Sequence, residues 1–180
     1  MARFTEIDDQ LRTFIERQKI FFVGTAAREG KVNISAKGMD SLRVLGRNRI
    51  VWLNLTGSEN ETAAHLLDAS RMTLMWCSFE ESPLVLRAYG DARVVHPRDS
   101  AWDDLASLFP PLPGARQLLD LNVDMALTSC GFGVPLHDFV GERQNLRHWA
   151  EKRGEEGVRA FWNARNRISL DGESTGIVAE

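Results

Sequence analysis

Residues Lys31-Val32-Asn33-Ile34-Ser35-Ala36-Lys37-Gly38 alternate with period two. Val32, Ile34 and Ala36 share one face, and Lys31, Asn33, Ser35 and Lys37 share the other. That period predicts a half-buried strand. Its polar face ends in a hydroxyl and an ammonium two residues apart, Ser35 and Lys37, which point the same way in a strand. A compact cation beside a hydroxyl donor suits a phosphate. Lysine is scarce here, with four against eighteen arginines. A solvated strand edge remains the alternative, since exposed lysine is the ordinary case.

The second informative stretch runs from Trp52 to Leu66. Ile50-Val51-Trp52-Leu53 is an apolar run that reads as a buried strand, and Thr56-Gly57-Ser58 is a turn. A short helix follows, with Ala63, Leu66 and Leu67 on its apolar side. Ser58, Asn60 and Thr62 stand where that helix starts. Unpaired backbone N–H groups and the helix dipole favour an anion there. Plain N-capping by Ser58 or Asn60 accounts for the same residues.

Composition narrows the classes. The chain has 180 residues, 43% apolar and 26% charged, with a formal charge of −3. This suits one soluble domain over 1–180 and argues against nucleic acid as a partner. The opening residues carry no apolar leader, and no apolar run reaches membrane-spanning length, so a cytoplasmic location without membrane contact is expected. Cys77 and Cys130 are far apart and lack ligand spacing; both read as reduced thiols, and Cys130 as a buried structural one. The four histidines show no metal-ligand pattern, and no metal site is expected.

In chain order, a packing helix is expected over 5–18, with Thr5 or Asp8 as its cap. Over about 20–140, consecutive strands with short turns argue for antiparallel pairing in a barrel or a sandwich. Within it, 42–45 reads as a short strand, 99–109 as a helix, 115–121 as a short helix, and 123–130 as the last long strand. Two helices hinged at Gly154 are expected over about 142–166.

A strand ending Ser35-Ala36-Lys37, a second strand, a turn, then Asn60-Glu61-Thr62-Ala63-Ala64-His65 and the strand Met72-Thr73-Leu74-Met75-Trp76 resemble the FMN-binding split barrels related to pyridoxamine 5′-phosphate oxidase. The resemblance is closest to a bacterial branch carrying two more segments. These are Thr128-Ser129-Cys130-Gly131-Phe132-Gly133-Val134-Pro135, and Asn166 followed by Ser169-Leu170-Asp171-Gly172 and Thr175-Gly176. The resemblance implies a mainly β fold with flanking helices (α+β), an antiparallel split β-barrel of six or so strands. It also implies a homodimer with FMN at the subunit interface. Carried over by position, it places Ser35, Lys37, Asn60 and Thr62 at the FMN phosphate. It places Leu53 and Asn54 along the flavin and ribityl chain, with Asn33 and Ala36 as further candidates. Phe132, between two glycines, reads either as a ring stacked on a flavin or as a core residue. The parent oxidases have an Arg-Lys pair where this chain has Glu61-Thr62, and relatives have Leu-Pro where it has Glu173-Ser174. Fewer positive charges imply weaker FMN binding, or more reliance on backbone donors.

The function expected on this ground is FMN-dependent oxidation or reduction of a small molecule. Flavin chemistry needs no catalytic side chain, which agrees with the lack of an acid–base pair in the sequence. The alternative is a non-catalytic flavin- or haem-binding protein used for storage, sensing or haem handling.

Overall fold

The computed structural model describes residues 1–177. Its elements in chain order are β1 (Ala2–Phe4), α1 (Asp9–Arg17), β2 (Phe21–Thr25), β3 (Asn33–Lys37), β4 (Leu42–Gly46), β5 (Arg49–Leu55) and α2 (Glu61–Asp68). There follow β6 (Arg71–Cys77), β7 (Val85–Val95), α3 (Trp102–Ala106), β8 (Ala115–Ser129) and α4 (Asn145–Arg165). The eight strands form one antiparallel sheet in the order β3-β2-β6-β7-β8-β5-β4, with β1 also paired to β8.

The sheet curls into a split barrel. Three strands lie between β2 and β5, yet Phe21 of β2 meets Trp52 of β5 edge to face, with ring centroids 6.0 Å apart. The enclosed core holds Val23, Trp52, Leu74, Trp76, Leu86, Leu119 and Leu121, and α1 closes it with Leu11 and Ile15. Asp8 caps α1 by accepting from the Leu11 N–H at 2.8 Å. A second apolar cluster lies on the other face of β5 and β8, where Val51, Leu53 and Leu118 pack against Leu105, Phe109 and Leu112.

The longest strand, β8, departs most from the sequence reading. The helix expected over 115–121 is the first half of this strand, paired to β5 on one side and β7 on the other. Leu119, Leu121 and Val123 carry one period-two apolar face through the whole segment. Other differences are smaller. A strand, β1, precedes the first helix, which starts at Asp9; the helix expected over 99–109 shrinks to α3. Gly154 does break the C-terminal helix, with φ 66° and ψ 175°.

β3 inverts the expected burial. Its alternation is present, but Val32 and Ile34 are 70% and 74% exposed, while Asn33, Ser35 and Lys37 are half-buried. An edge strand has one face toward the cleft of the split barrel, and here the polar face takes it. The reading of Cys130 as a buried thiol also needs correction: Cys77 is buried but Cys130 is exposed, because β8 ends at Ser129 and the chain leaves the sheet there.

Between Tyr89 and Gly90 the β7–β8 register slips by one residue. A Cβ at Gly90 would stand 1.8 Å from the Asn122 carbonyl oxygen, which belongs to the backbone and has no room to yield. Gly90→Ala is therefore expected to lose about 3 kcal/mol or more of stability, read as a lower urea midpoint at an unchanged slope.

Candidate functional site

The edge strand β3, the strand β5, the turn after β5, the start of α2 and the start of β8 together enclose a cavity of about 140 Å³. Its lining includes Asn33, Ser35, Lys37, Asn54, Asn60 and Thr62, six of the nine residues that the sequence put forward. The other three lie elsewhere. Leu53 alternates with Asn54 along β5 and is buried in the second apolar cluster. Ala36 is exposed on the outer side of β3. Phe132 is 81% exposed beyond the end of β8, so it is not a core residue.

Local geometry explains how the six converge. Asn33, Ser35 and Lys37 share the inward face of β3. The Asn33 Nδ2 donates to the hydroxyls of Thr25 and Thr62, both at 3.2 Å, tying β3 to β2 and α2. Lys37 Nζ sits 5.4 Å from the centroid of a Trp52 ring. Asn60 is the N-cap residue of α2, but its side chain makes no capping bond, and its carbonyl takes the first helical N–H groups instead. The Asn54 Nδ2 reaches Asn60 Oδ1 at 3.5 Å and Gln117 Oε1 at 3.4 Å, both long contacts.

Arg116, which the sequence reading missed, completes the lining. On β8, Gln117 pairs with Asn54 and Ala115 pairs with Leu55, so Arg116 is the extra residue of a β-bulge. A bulge re-aims the side chain of the extra residue, and this one brings a 3% exposed guanidinium to the cavity. Its Nη1 donates to the Glu59 carbonyl at 3.1 Å and to Asn166 Oδ1 at 2.7 Å. Both acceptors are neutral. The signal for this residue in the sequence was the unbroken alternation of Leu119, Leu121 and Val123, which continues the last strand back toward Ala115.

Two cations therefore share a small space, and no carboxylate among the described residues is bonded to either. Burial, and then the charge of Arg116, lowers the Lys37 ammonium to about 8. Burial alone lowers the Arg116 guanidinium to about 9. Both remain charged at neutral pH. Six buried polar side-chain atoms among the described residues lack a partner: Ser35 Oγ, Trp52 Nε1, Asn54 Oδ1, Asn60 Nδ2, Arg116 Nε and Gln117 Nε2. Four of them belong to residues lining this cavity, and the other two to residues touching Lys37 or Asn54. A buried polar atom without a partner costs roughly 1–3 kcal/mol. Such a concentration at one place marks a site built to receive hydrogen bonds from outside the chain. Most of the orphaned atoms are donors, so the fitting group is an anion rich in acceptors, such as a phosphate.

The C-terminal tail closes the cavity from behind. Asn166 Nδ2 donates to the carbonyls of Gly57 and Ser58, at 3.2 and 3.3 Å. Ile168 and Ser174 pair across a tight turn, and the Leu170 N–H donates to Glu61 Oε1 at 2.8 Å. Lys31 pairs with Asp171. The tail segment, legible in the sequence only as part of the family resemblance, thus fastens the loop and helix that line the cavity.

No group of three or more potential metal-binding side chains occurs among the described residues, and no described helix is long and apolar enough to cross a membrane. The family model for pyridoxamine 5′-phosphate oxidase matches residues 7–130. A pyridoxamine 5′-phosphate oxidase family protein of Aspergillus flavus is 33% identical over 190 residues, covering 94% of this chain and 75% of that one. Two solved structures share the fold at low identity. A candidate pyridoxamine 5′-phosphate oxidase of Lactobacillus delbrueckii is 17% identical, with a TM-score of 0.57, over 71% of this chain and 99% of that one. HupZ of Group A Streptococcus is 15% identical, with a TM-score of 0.55, over 68% of this chain and 94% of that one. The matched length and the identity to the fungal relative, on an antiparallel split barrel, establish that this chain belongs to the pyridoxamine 5′-phosphate oxidase family.

Proposed function

We propose that this chain binds flavin mononucleotide and works as a flavin-dependent oxidoreductase on a small molecule. The observation that carries the proposal is the cluster of unpartnered buried donors around Lys37 and Arg116. Ser35, Lys37, Asn60 and Arg116 would hold the phosphate, and Asn54 and Asn33 would meet hydroxyls of the ribityl chain. A bound flavin supplies two-electron redox chemistry of its own. The residues of this chain fix its position, neutralise its phosphate and keep water from that end of it. Arg116 supplies a positive charge of the kind missing at Glu61-Thr62, so the site does not depend on backbone donors alone.

Family resemblance and exposed apolar side chains support a homodimer as the working form. Val32 and Ile34 stand bare beside the cleft on the edge strand, and Phe132, Leu136, Phe139 and Val140 stand bare beyond β8. A second copy covering these would enclose the rest of a flavin, for which 140 Å³ is far too small.

A second reading keeps the same cavity but no turnover: a flavin carrier or sensor. It is favoured by the lining, where the Glu61 carboxylate is already bonded to the tail and no histidine is present. The missing histidine also argues against haem at this place, since haem needs an axial ligand. Purified protein mixed with FMN and then with NADH or NADPH separates these readings. Bleaching of the flavin absorbance with steady consumption of reductant in air supports the oxidoreductase. Flavin bound and inert supports the carrier. No bound flavin overturns both.

Two outcomes follow for the phosphate end. Lys37→Ala is expected to weaken FMN binding about 10- to 100-fold and to leave riboflavin binding within about threefold, because a charged hydrogen bond to the phosphate is the part removed. Quenching of flavin fluorescence measures both. The pH dependence has a worked sign. A phosphate dianion favours the ammonium form, so the Lys37 pKa rises on binding. Affinity should therefore fall as pH climbs past the free value of about 8, and should also fall below about 6, where the phosphate takes up a proton. A profile flat from pH 7 to 9.5 would remove Lys37 from the site.

A further inference from the structure

Asn166 sits at the C-cap of α4, fully buried, with every polar group of its side chain engaged. Its Oδ1 accepts from Arg116 Nη1, and its Nδ2 holds two carbonyls of the turn that lines the cavity. Its own carbonyl accepts from Thr175 Oγ1 at 2.5 Å, so the end of the tail hairpin locks it in place. The chemistry of this arrangement is selective. A buried guanidinium is ordinarily matched by a carboxylate. A carboxylate at 166 would hold Arg116 equally well but cancel its charge. An amide oxygen holds it and leaves the charge, along with the unpartnered Nε, for something else.

We propose that Asn166 is the positioning residue of the anion site, and that it sets the preference for a phosphate monoester over the same molecule without its phosphate. Asn166 does not touch the ligand; it acts through Arg116. The tail segment around it, from Asn166 to Thr175, is therefore part of the ligand-selecting machinery and not only a cover for the barrel. This inference rests on the flavin mononucleotide reading given above.

The test is the ratio of riboflavin to FMN dissociation constants, from flavin fluorescence, in the full chain. The variants are Arg116→Gln, Asn166→Ala, Asn166→Asp and the double variant Arg116→Gln with Asn166→Ala. The wild-type ratio is expected to be about 100 or more, as two charged hydrogen bonds to phosphate imply. Asn166→Ala should lower it about tenfold, chiefly through FMN. Asn166→Asp should lower it as far as Arg116→Gln does, since both leave the site one charge short. In the Arg116→Gln background, Asn166→Ala should change the ratio no further.

A merely structural role for Asn166 predicts something different: both ligands weakened alike, or the same drop with and without Arg116. Either result overturns the proposal. Thr175→Val removes only the hydroxyl that steadies Asn166 and gives a gentler probe should the Asn166 variants fail to fold. A ratio about threefold lower is expected for it, and an unchanged ratio counts against the proposal. A wild-type ratio near one overturns the flavin mononucleotide reading itself and this inference with it. A high wild-type ratio that ignores Asn166 and Thr175 overturns the inference alone.

Discussion

Two cations are held in one small cavity, and neither is bonded to a carboxylate among the described residues. Lys37 rests near the ring of Trp52, and Arg116 is bonded only to a peptide carbonyl and an amide. Burial opposes both charges, and each opposes the other, as the lowered pKa of Lys37 records. Such an arrangement costs stability in the empty protein. It is sustainable because the rest of the molecule is committed to it: the barrel core under Trp52, the bulge in β8, and the tail bonded through Asn166.

The split in the barrel is what makes room for the pair. β3 and β5 are far apart in the sheet order, and curling brings their faces together without pairing them. A closed barrel would fill that gap with ladder hydrogen bonds. The open one leaves a cleft whose walls are side chains from β3 and β5. β3 turns its hydroxyl, amide and ammonium into the cleft, and its apolar side is left outside. The same inversion that gives the cavity its donors gives the edge strand a bare apolar flank, so ligand site and exposed surface arise from one choice of face.

Ionic partners elsewhere in the molecule follow a different rule. Asp120 is bonded to both Arg49 and Arg93, which hold its carboxyl below the usual range despite its partial burial. Those arginines are matched and structural. Arg116 lies four residues away on the same strand and is not matched. The contrast sets Arg116 apart by its partners, since burial alone would not.

Period-two alternation, the helix spacing around Leu11 and Ile15, and short turns were enough to read antiparallel strands in a barrel or sandwich with outer helices, and the family resemblance carried by the motifs made that a split barrel. Strand period and turn chemistry pointed to Ser35, Lys37, Asn60 and Thr62, and the resemblance added Asn33 and Asn54; all six lie on the elements that line the cavity. These are local properties: side-chain period and turn chemistry are decided within a few residues. Which face of β3 is covered was decided by the curling of the sheet, a matter of strands distant in sequence. Arg116 reached the cavity through a one-residue slip against β5, and Asn166 found it from 50 positions away. The alternation of Leu119, Leu121 and Val123 marks the strand that carries Arg116, but the bulge depends on the partner strand and a buried contact of that range on the finished fold, so neither of those leaves a local trace.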